Sequence, residues 1–188
     1  MELAAVIGLG NHGAEYEGTR HNVGFAVVDE LARRWRVTAW RRRHHALVAR
    51  RTGGRDVLLA KPQTFMNLSG DAVAALCEGE SLAPGACLIV VDDVDLGLGQ
   101  LRLRQRGGSG THNGLRSVVA AIGEGFPRLR LGVRGEQAAG DLADYVLAPF
   151  AAVEREAAAA MTLQAADCVE MALRAGLTRA ADRYNRTA

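Results

Sequence analysis

"VIGLGNHGAEYEGTRHNVGF", residues 6–25, decides the fold, because it admits two readings. Gly8, Gly10 and Gly13 spell G-x-G-x-x-G after an apolar run, the pattern that opens a dinucleotide-binding turn. Such a turn must lead at once into a helix whose N-terminus faces a pyrophosphate. Residues 14–20 are instead polar, include Gly18 and show no apolar period, and the helical pattern starts only near Asn22. An acidic residue is also expected about 20 residues on, at the end of the second strand. Asp29 and Glu30 fall mid-helix, and the second strand ends in Arg50 and Arg51, which leaves an NADP-dependent enzyme as the alternative. In the other reading the glycines turn the backbone sharply beside Asn11 and bring its amide into a cleft. His21 then forms one wall of a hydrolytic site.

Outward from that stretch, apolar runs at 4–9, 46–50, 57–60 and 87–91 predict buried strands. Residues 23–35 place Val23, Val27, Leu31 and Trp35 at four-residue spacing, and 70–77 follow a Leu-Ser-Gly entry; both predict helices. Leu and Arg alternate in 101–105 and 128–133, as in strands with one wetted face. The tail, 151–186, is Ala-rich and helical with a break at Gly176. Helices alternating with strands predict an α/β fold, with the sheet covered on both sides. Residues 135–140, two glycines around Glu-Gln-Ala-Ala, read as part of a mobile lid over 135–150, and "RRRHH" at 41–45 reads as a solvated loop.

Composition narrows the function classes. With 188 residues, 48% hydrophobic and 23% charged, the chain reads as one soluble domain, 1–188. A net charge of +2 does not indicate a basic nucleic-acid-binding body, so any polyanion site must be local. All but Lys61 of the 23 basic residues are arginine, a bias that a GC-rich genome explains. Cys77, Cys87 and Cys168 are widely spaced and form no C-x-x-C, which predicts a reducing, cytoplasmic setting. Neither a signal peptide nor a membrane span is legible.

Polar residues recur where strands end. "KPQTFMNLSG" sets Asn67 before a helix, "IVVDDVDLGLG" ends an apolar strand with Asp92, Asp93 and Asp95, and "GGSGTHNGLRS" holds a second His-Asn pair, His112–Asn113. In open α/β sheets ligands bind at the carboxyl ends of strands. Ser109 misses the G-x-S-x-G elbow, since Thr111 stands where the second glycine belongs. The three aspartates lack paired histidines beside them, so no metal is expected. What remains is direct attack by water, with a histidine as base, a carboxylate orienting it, and Asn amides donating to the developing oxyanion. Such a set suits an ester. Arg102 and Arg104 point to one face of their strand, as do Arg128 and Arg130, either as a solvated sheet edge or as a phosphate clamp.

Together, "GLGNHGAEYEGTRHNVGF", "KPQTFMNLSG", "DDVDLGLGQLRLR", "GGSGTHNGLRS" and "FPRLRLGV" closely resemble bacterial-type peptidyl-tRNA hydrolase, in that family's order and spacing. The resemblance implies a single three-layer α/β/α domain with a mixed, mostly parallel central sheet, generally monomeric. It implies hydrolysis of the ester joining a peptide to the 3′-terminal ribose of tRNA, sparing aminoacyl-tRNA with a free amino group. It also implies no cofactor, no membrane and no obligatory protein partner. By resemblance, His21 is the general base and Asp92 its partner, while Asn11, Asn67 and Asn113 hold the peptidyl part and order the water. Tyr16 and Met66 resemble cleft wall, and Arg104 and Arg130, with Arg102 nearby, resemble the pair that grips the tRNA 5′-terminal phosphate. The chain departs from the family pattern after "LRLGV", where "RGEQAAGDLADYVLAPF" lacks the usual Pro-containing loop, and at "DLGLG", which replaces an Asp-Leu-Pro run.

Overall fold

A computed structural model describes residues 2–135 and 141–185. The first apolar run forms β1 (Ala5–Gly8), the strand on which the sheet is organised. The others are β2 (Arg41–Arg43), β3 (Ala46–Arg51), β4 (Val57–Pro62), β5 (Cys87–Gly97), β6 (Leu101–Arg104) and β7 (Arg128–Arg134). The helices are α1 (Val23–Arg34), α2 (Ser69–Gly79), α3 (Asn113–Ile122), α4 (Leu142–Leu147), α5 (Arg155–Ala175) and α6 (Leu177–Tyr184). One 7-stranded sheet runs in the order β2-β3-β4-β1-β5-β7-β6. Its centre, β4-β1-β5-β7, is parallel. The antiparallel partners lie at the two flanks, where β3 pairs β2 and β4, and β6 pairs β7. The sheet is therefore mixed and mostly parallel.

Both faces are covered, which is why the central strands read as continuous apolar runs rather than alternating ones. Ala5 and Ile7 pack with Val73, Leu76, Leu115 and Val118 from α2 and α3. Val6, on the opposite face, packs with Val27 and Leu31 of α1 and Met161 and Val169 of α5. Three layers result.

The glycines of the opening stretch now have a physical reason. A Cβ on Gly8 would lie 2.1 Å from the Gly24 carbonyl oxygen, and one on Gly24 would lie 2.5 Å from the carbonyls of Leu9 and Val90. The first turn of α1 is thus in backbone contact with β1 and β5. Between Gly13 and α1 come only short 3₁₀ turns, Ala14–Tyr16 and Arg20–Asn22, and a bridge from Thr19 to Pro149. A dinucleotide needs a helix opening directly after the glycines, so the geometry of the NADP alternative is not formed. Asn22 precedes α1 without capping it by its side chain. Instead its Oδ1 accepts from Asn11 N and its Nδ2 donates to Asn11 O, each at 2.9 Å.

Several boundaries differ from the sequence expectation. The 41–45 run is not a loop: Arg41–Arg43 pair with β3 as an exposed edge strand, and His44 and His45 turn the hairpin with φ of 52° and 56°. Those angles favour Asn-Gly, so two histidines carry no recognisable turn signal. Strand β5 continues past residue 91 to Gly97, because backbone pairing with β7 does not depend on side-chain polarity. Arg128 is buried, not wetted, and donates to the carbonyls of Gly107, Gly108, Glu124 and Phe126. The helical tail breaks at Gly176, whose φ is 92°. The three cysteines are free thiols, but Cys77 and Cys87, distant in pattern, bring their sulfurs to 3.8 Å. Of the 135–150 lid, 136–140 lie outside the described residues, while 142–147 form helix α4. Among the described residues no helix is long and apolar enough to cross a membrane.

Gly24→Ala forces a methyl into the backbone of β1 and β5, and is expected to lower stability by about 1–3 kcal/mol. Gly125, whose added Cβ would meet nothing within 4 Å, is the control, with Gly125→Ala changing stability by less than about 0.5 kcal/mol. Thermal or urea unfolding of the two variants measures the difference, and equal midpoints would remove the close-packing explanation.

Candidate active site

The carboxyl ends of the parallel strands open into one cavity of about 490 Å³. Asn11 reaches it from the loop after β1, Met66 and Asn67 from the turn after β4, Asp92 and Asp93 from β5, and Arg130 from β7. His21 enters from the 3₁₀ turn ahead of α1, and His112 from the N-cap position of α3. Phe65, Val94 and the α4 side chains Leu142, Ala143, Val146 and Leu147 make the apolar wall.

Asp92 sits at the centre. Its Oδ1 lies 2.8 Å from His21 Nδ1 and 2.9 Å from His112 Nε2, and the two rings are 5.1 Å apart. The His112 tautomer follows from its other nitrogen: Nδ1 accepts the Leu115 amide at 3.1 Å, so the proton is on Nε2 and is donated to Asp92. His21 in turn donates from Nδ1, which leaves its Nε2 lone pair without a partner among the described residues and on the cavity side. Burial alone would raise the Asp92 carboxyl. The contacts from His112, then from His21, outweigh that and hold it well below the usual carboxylate range.

Asp93, the adjacent acid, does different work. Its Oδ1 accepts the Asp95 amide at 2.9 Å and its Oδ2 pairs with Arg130 Nε at 3.0 Å. Of the two acids, Asp92 is therefore the one in contact with His21.

The donor atoms of His21, Asp92 and His112 lie within 4.8 Å of one another, a set able to bracket a metal ion. Proton accounting argues against that use. A metal on His112 Nε2 would move the proton to Nδ1, where the Leu115 amide already donates.

Asn11 is held by its backbone on Asn22 and by its Oδ1, which accepts the Met66 amide at 2.7 Å. Its NH₂ group has no acceptor among the described residues and is free for a ligand in the cavity. Asn67 is exposed and Asn113 lies at the mouth, its Oδ1 accepting from Arg116 at 3.1 Å. Met66 is buried and lines the cavity, whereas Tyr16 is half-buried and is not among the described lining residues. Arg102 stands opposite Arg130 across the β6–β7 ladder, and Arg104 opposite Arg128. Arg130 lines the cavity, while Arg104 lines a shallow groove beside Thr178 and Asp182 of α6. The structure therefore brings Arg102 and Arg130 together and sets Arg104 one strand step further along the edge. Sequence reasoning did not assign roles to His112, Asp93 or the α4 wall. The His112–Asn113 pair was the visible signal for the first; that Asp92 is shared by two rings is a tertiary fact.

Known proteins match along nearly the whole chain. The peptidyl-tRNA hydrolase family model matches residues 5–188. A peptidyl-tRNA hydrolase of Chloroflexus aurantiacus is 48% identical over 183 residues, covering 96% of this chain and 97% of the relative. One from Nocardia farcinica is 47% identical over 180 residues, covering 94% and 93%. A crystal structure of a mutant peptidyl-tRNA hydrolase from Acinetobacter baumannii superposes with a TM-score of 0.91 at 33% identity, covering 98% of this chain and 95% of that one.

The depressed Asp92 carboxyl makes a stability prediction. Because it titrates below its unfolded value, near 3.8, its contribution is present above that value and is lost as pH falls toward the folded one. The unfolding free-energy gap between wild type and Asp92→Asn should therefore narrow below about pH 4, by at most about 1.4 kcal/mol per pH unit. Denaturant titrations between pH 4.5 and about pH 2.5 measure it; a gap that stays constant would mean that Asp92 is not held as an anion.

Proposed function

The chain belongs to the peptidyl-tRNA hydrolase family, and from that premise we propose that it hydrolyses the ester between a peptide and the 3′-terminal ribose of tRNA, with His21 activating the attacking water. The observation that carries this reading is the 2.8 Å bond from His21 Nδ1 to Asp92 Oδ1, which leaves Nε2 facing the cavity. A water held against Nε2 gives up a proton as its oxygen attacks the acyl carbon. The buried Asp92 carboxylate stabilises the imidazolium that forms. The NH₂ groups of Asn11, Asn67 and Asn113 are the neutral donors available to the peptidyl part and to the developing oxyanion. Collapse of the tetrahedral intermediate expels the ribose oxygen, which recovers the proton from His21. No step calls for a metal or an organic cofactor.

The apolar wall of α4 with Phe65 and Met66 suits the peptide side of such a substrate. Arg130, with Arg102 beside it and Arg104 further along the edge, suits a phosphate of the tRNA. The free thiols fit a cytoplasmic setting.

Purified protein is expected to release the acyl group from N-blocked aminoacyl-tRNA and to leave the free-amine form intact. His21→Ala should lower kcat by at least about 10³-fold while tRNA binding survives. Turnover that persists in that variant would remove His21 from the mechanism.

Arg104→Ala and Arg130→Ala are each expected to weaken tRNA binding uniformly across tRNA sequences. Each should also reduce the slope of log affinity against log salt by about 1. Binding measured from low to moderate salt decides it, and an unchanged slope leaves Arg104 as a sheet-edge charge and Arg130 as the partner of Asp93 alone.

A further inference from the structure

Arg20, the residue before the base, is 5% exposed. A buried guanidinium is stable only where its charge and donors find partners. Its Nη2 donates to Glu154 Oε2 at 2.6 Å. Its Nη1 donates to three backbone carbonyls, those of Tyr145, Ala148 and Pro149, at 3.3, 3.2 and 2.9 Å. These are at and just beyond the C-terminal end of α4, where helix carbonyls lack partners and a cation is favoured. The guanidinium carbon also stacks 4.1 Å from the centre of the Tyr145 ring. The backbone adds to the tie: Arg20 N donates to Ala148 O at 3.2 Å, and Thr19 bridges Pro149.

Helix α4 is only 6 residues long, too short to persist without tertiary contacts. It supplies Leu142, Ala143, Val146 and Leu147 to the cavity that His21 enters. The Tyr145 hydroxyl also donates to Val133 O and accepts from Gly135 N, each at 2.9 Å, anchoring the helix to the end of β7. The other anchor is Arg20.

We propose that Arg20 is a positioning residue that fixes the α4 wall against the imidazole of His21, so that the peptide part of the substrate meets a preformed apolar surface. Adjacency in sequence makes the coupling direct, since the turn that presents the base also carries the guanidinium. The inference rests on the reading of this cavity as the site of ester hydrolysis.

The test uses Arg20→Gln and Glu154→Gln in the full chain. In Arg20→Gln, hydrogen exchange of the amides of residues 145–148 should accelerate about tenfold or more, with β1 and β5 amides unchanged. Glu154→Gln, which keeps the carbonyl contacts, should show the same pattern to a smaller degree. With N-blocked aminoacyl-tRNA, KM should rise several-fold while kcat stays within about twofold of wild type. Unaltered exchange at 145–148 in a folded variant, or a fall in kcat with KM unchanged, overturns the proposal. If Arg20→Gln does not fold, Glu154→Gln alone decides by the same criteria. The exchange measurement needs no substrate, so an inactive wild type would defeat the hydrolase reading while leaving the tie itself to be judged.

Discussion

One carboxylate oxygen, Asp92 Oδ1, receives two imidazole N–H groups, and most of the site's order follows from that. A lone buried carboxylate would be driven toward its neutral form. Two donors keep it ionised, and in doing so they fix the rotation of both rings. The His112 ring is fixed a second time by the Leu115 amide, so its tautomer is not free to change. This leaves His21 as the ring with an uncommitted nitrogen. Two otherwise similar histidines around one anion are thereby distinguished: His112 steadies the carboxylate, and His21 retains a lone pair for a proton.

That arrangement depends on how closely the first turn of α1 approaches the sheet. Gly8 and Gly24 let the helix backbone rest on β1 and β5, and the turn just before it then carries His21 toward Asp92 on β5. A side chain at either glycine would lift the helix start by an ångström or more, a displacement that a hydrogen bond of 2.8 Å does not survive. The Asn22 amide, although at the N-cap position of α1, is spent on the backbone of Asn11. The glycine-rich start is thus a packing device that places His21 and Asn11, and its likeness to a phosphate cradle is a coincidence of spacing.

The sheet, its two-sided burial and the polar strand ends were legible because they are written in short-range patterns. Continuous apolar runs imply two covered faces, and Asn11, Asn67 and Asp92 are conspicuous where those runs end. The hairpin at His44–His45 was not legible, because its left-handed angles are imposed by strand pairing on residues that do not advertise them. Arg128 defeated the alternation rule for a similar reason. Its burial is compensated by loop carbonyls from residues distant in sequence, which no local window contains. The role of His112 and the Arg20–α4 tie are contacts across 20 and more than 120 positions, so only tertiary structure reveals them.

The paired acids show how far a period of two can separate chemistry. Successive strand residues face opposite sides of a sheet. Asp92, in register with Leu131, therefore serves the imidazoles, while Asp93, in register with Gly132, turns to Arg130. The ion pair engages Arg130 through Nε, which leaves the Nη donors of the same fork for a second anion. Asp93 thus pairs with the guanidinium without exhausting it, and also offsets its positive charge beside the His21–Asp92 pair. Were the two acids to share a face, one carboxylate would be asked both to polarise an imidazole and to hold an arginine. An anion arriving at that arginine would then disturb the base. Placed on opposite faces, the carboxylate that meets the imidazoles and the one that meets Arg130 stand at neighbouring residues and act on separate partners.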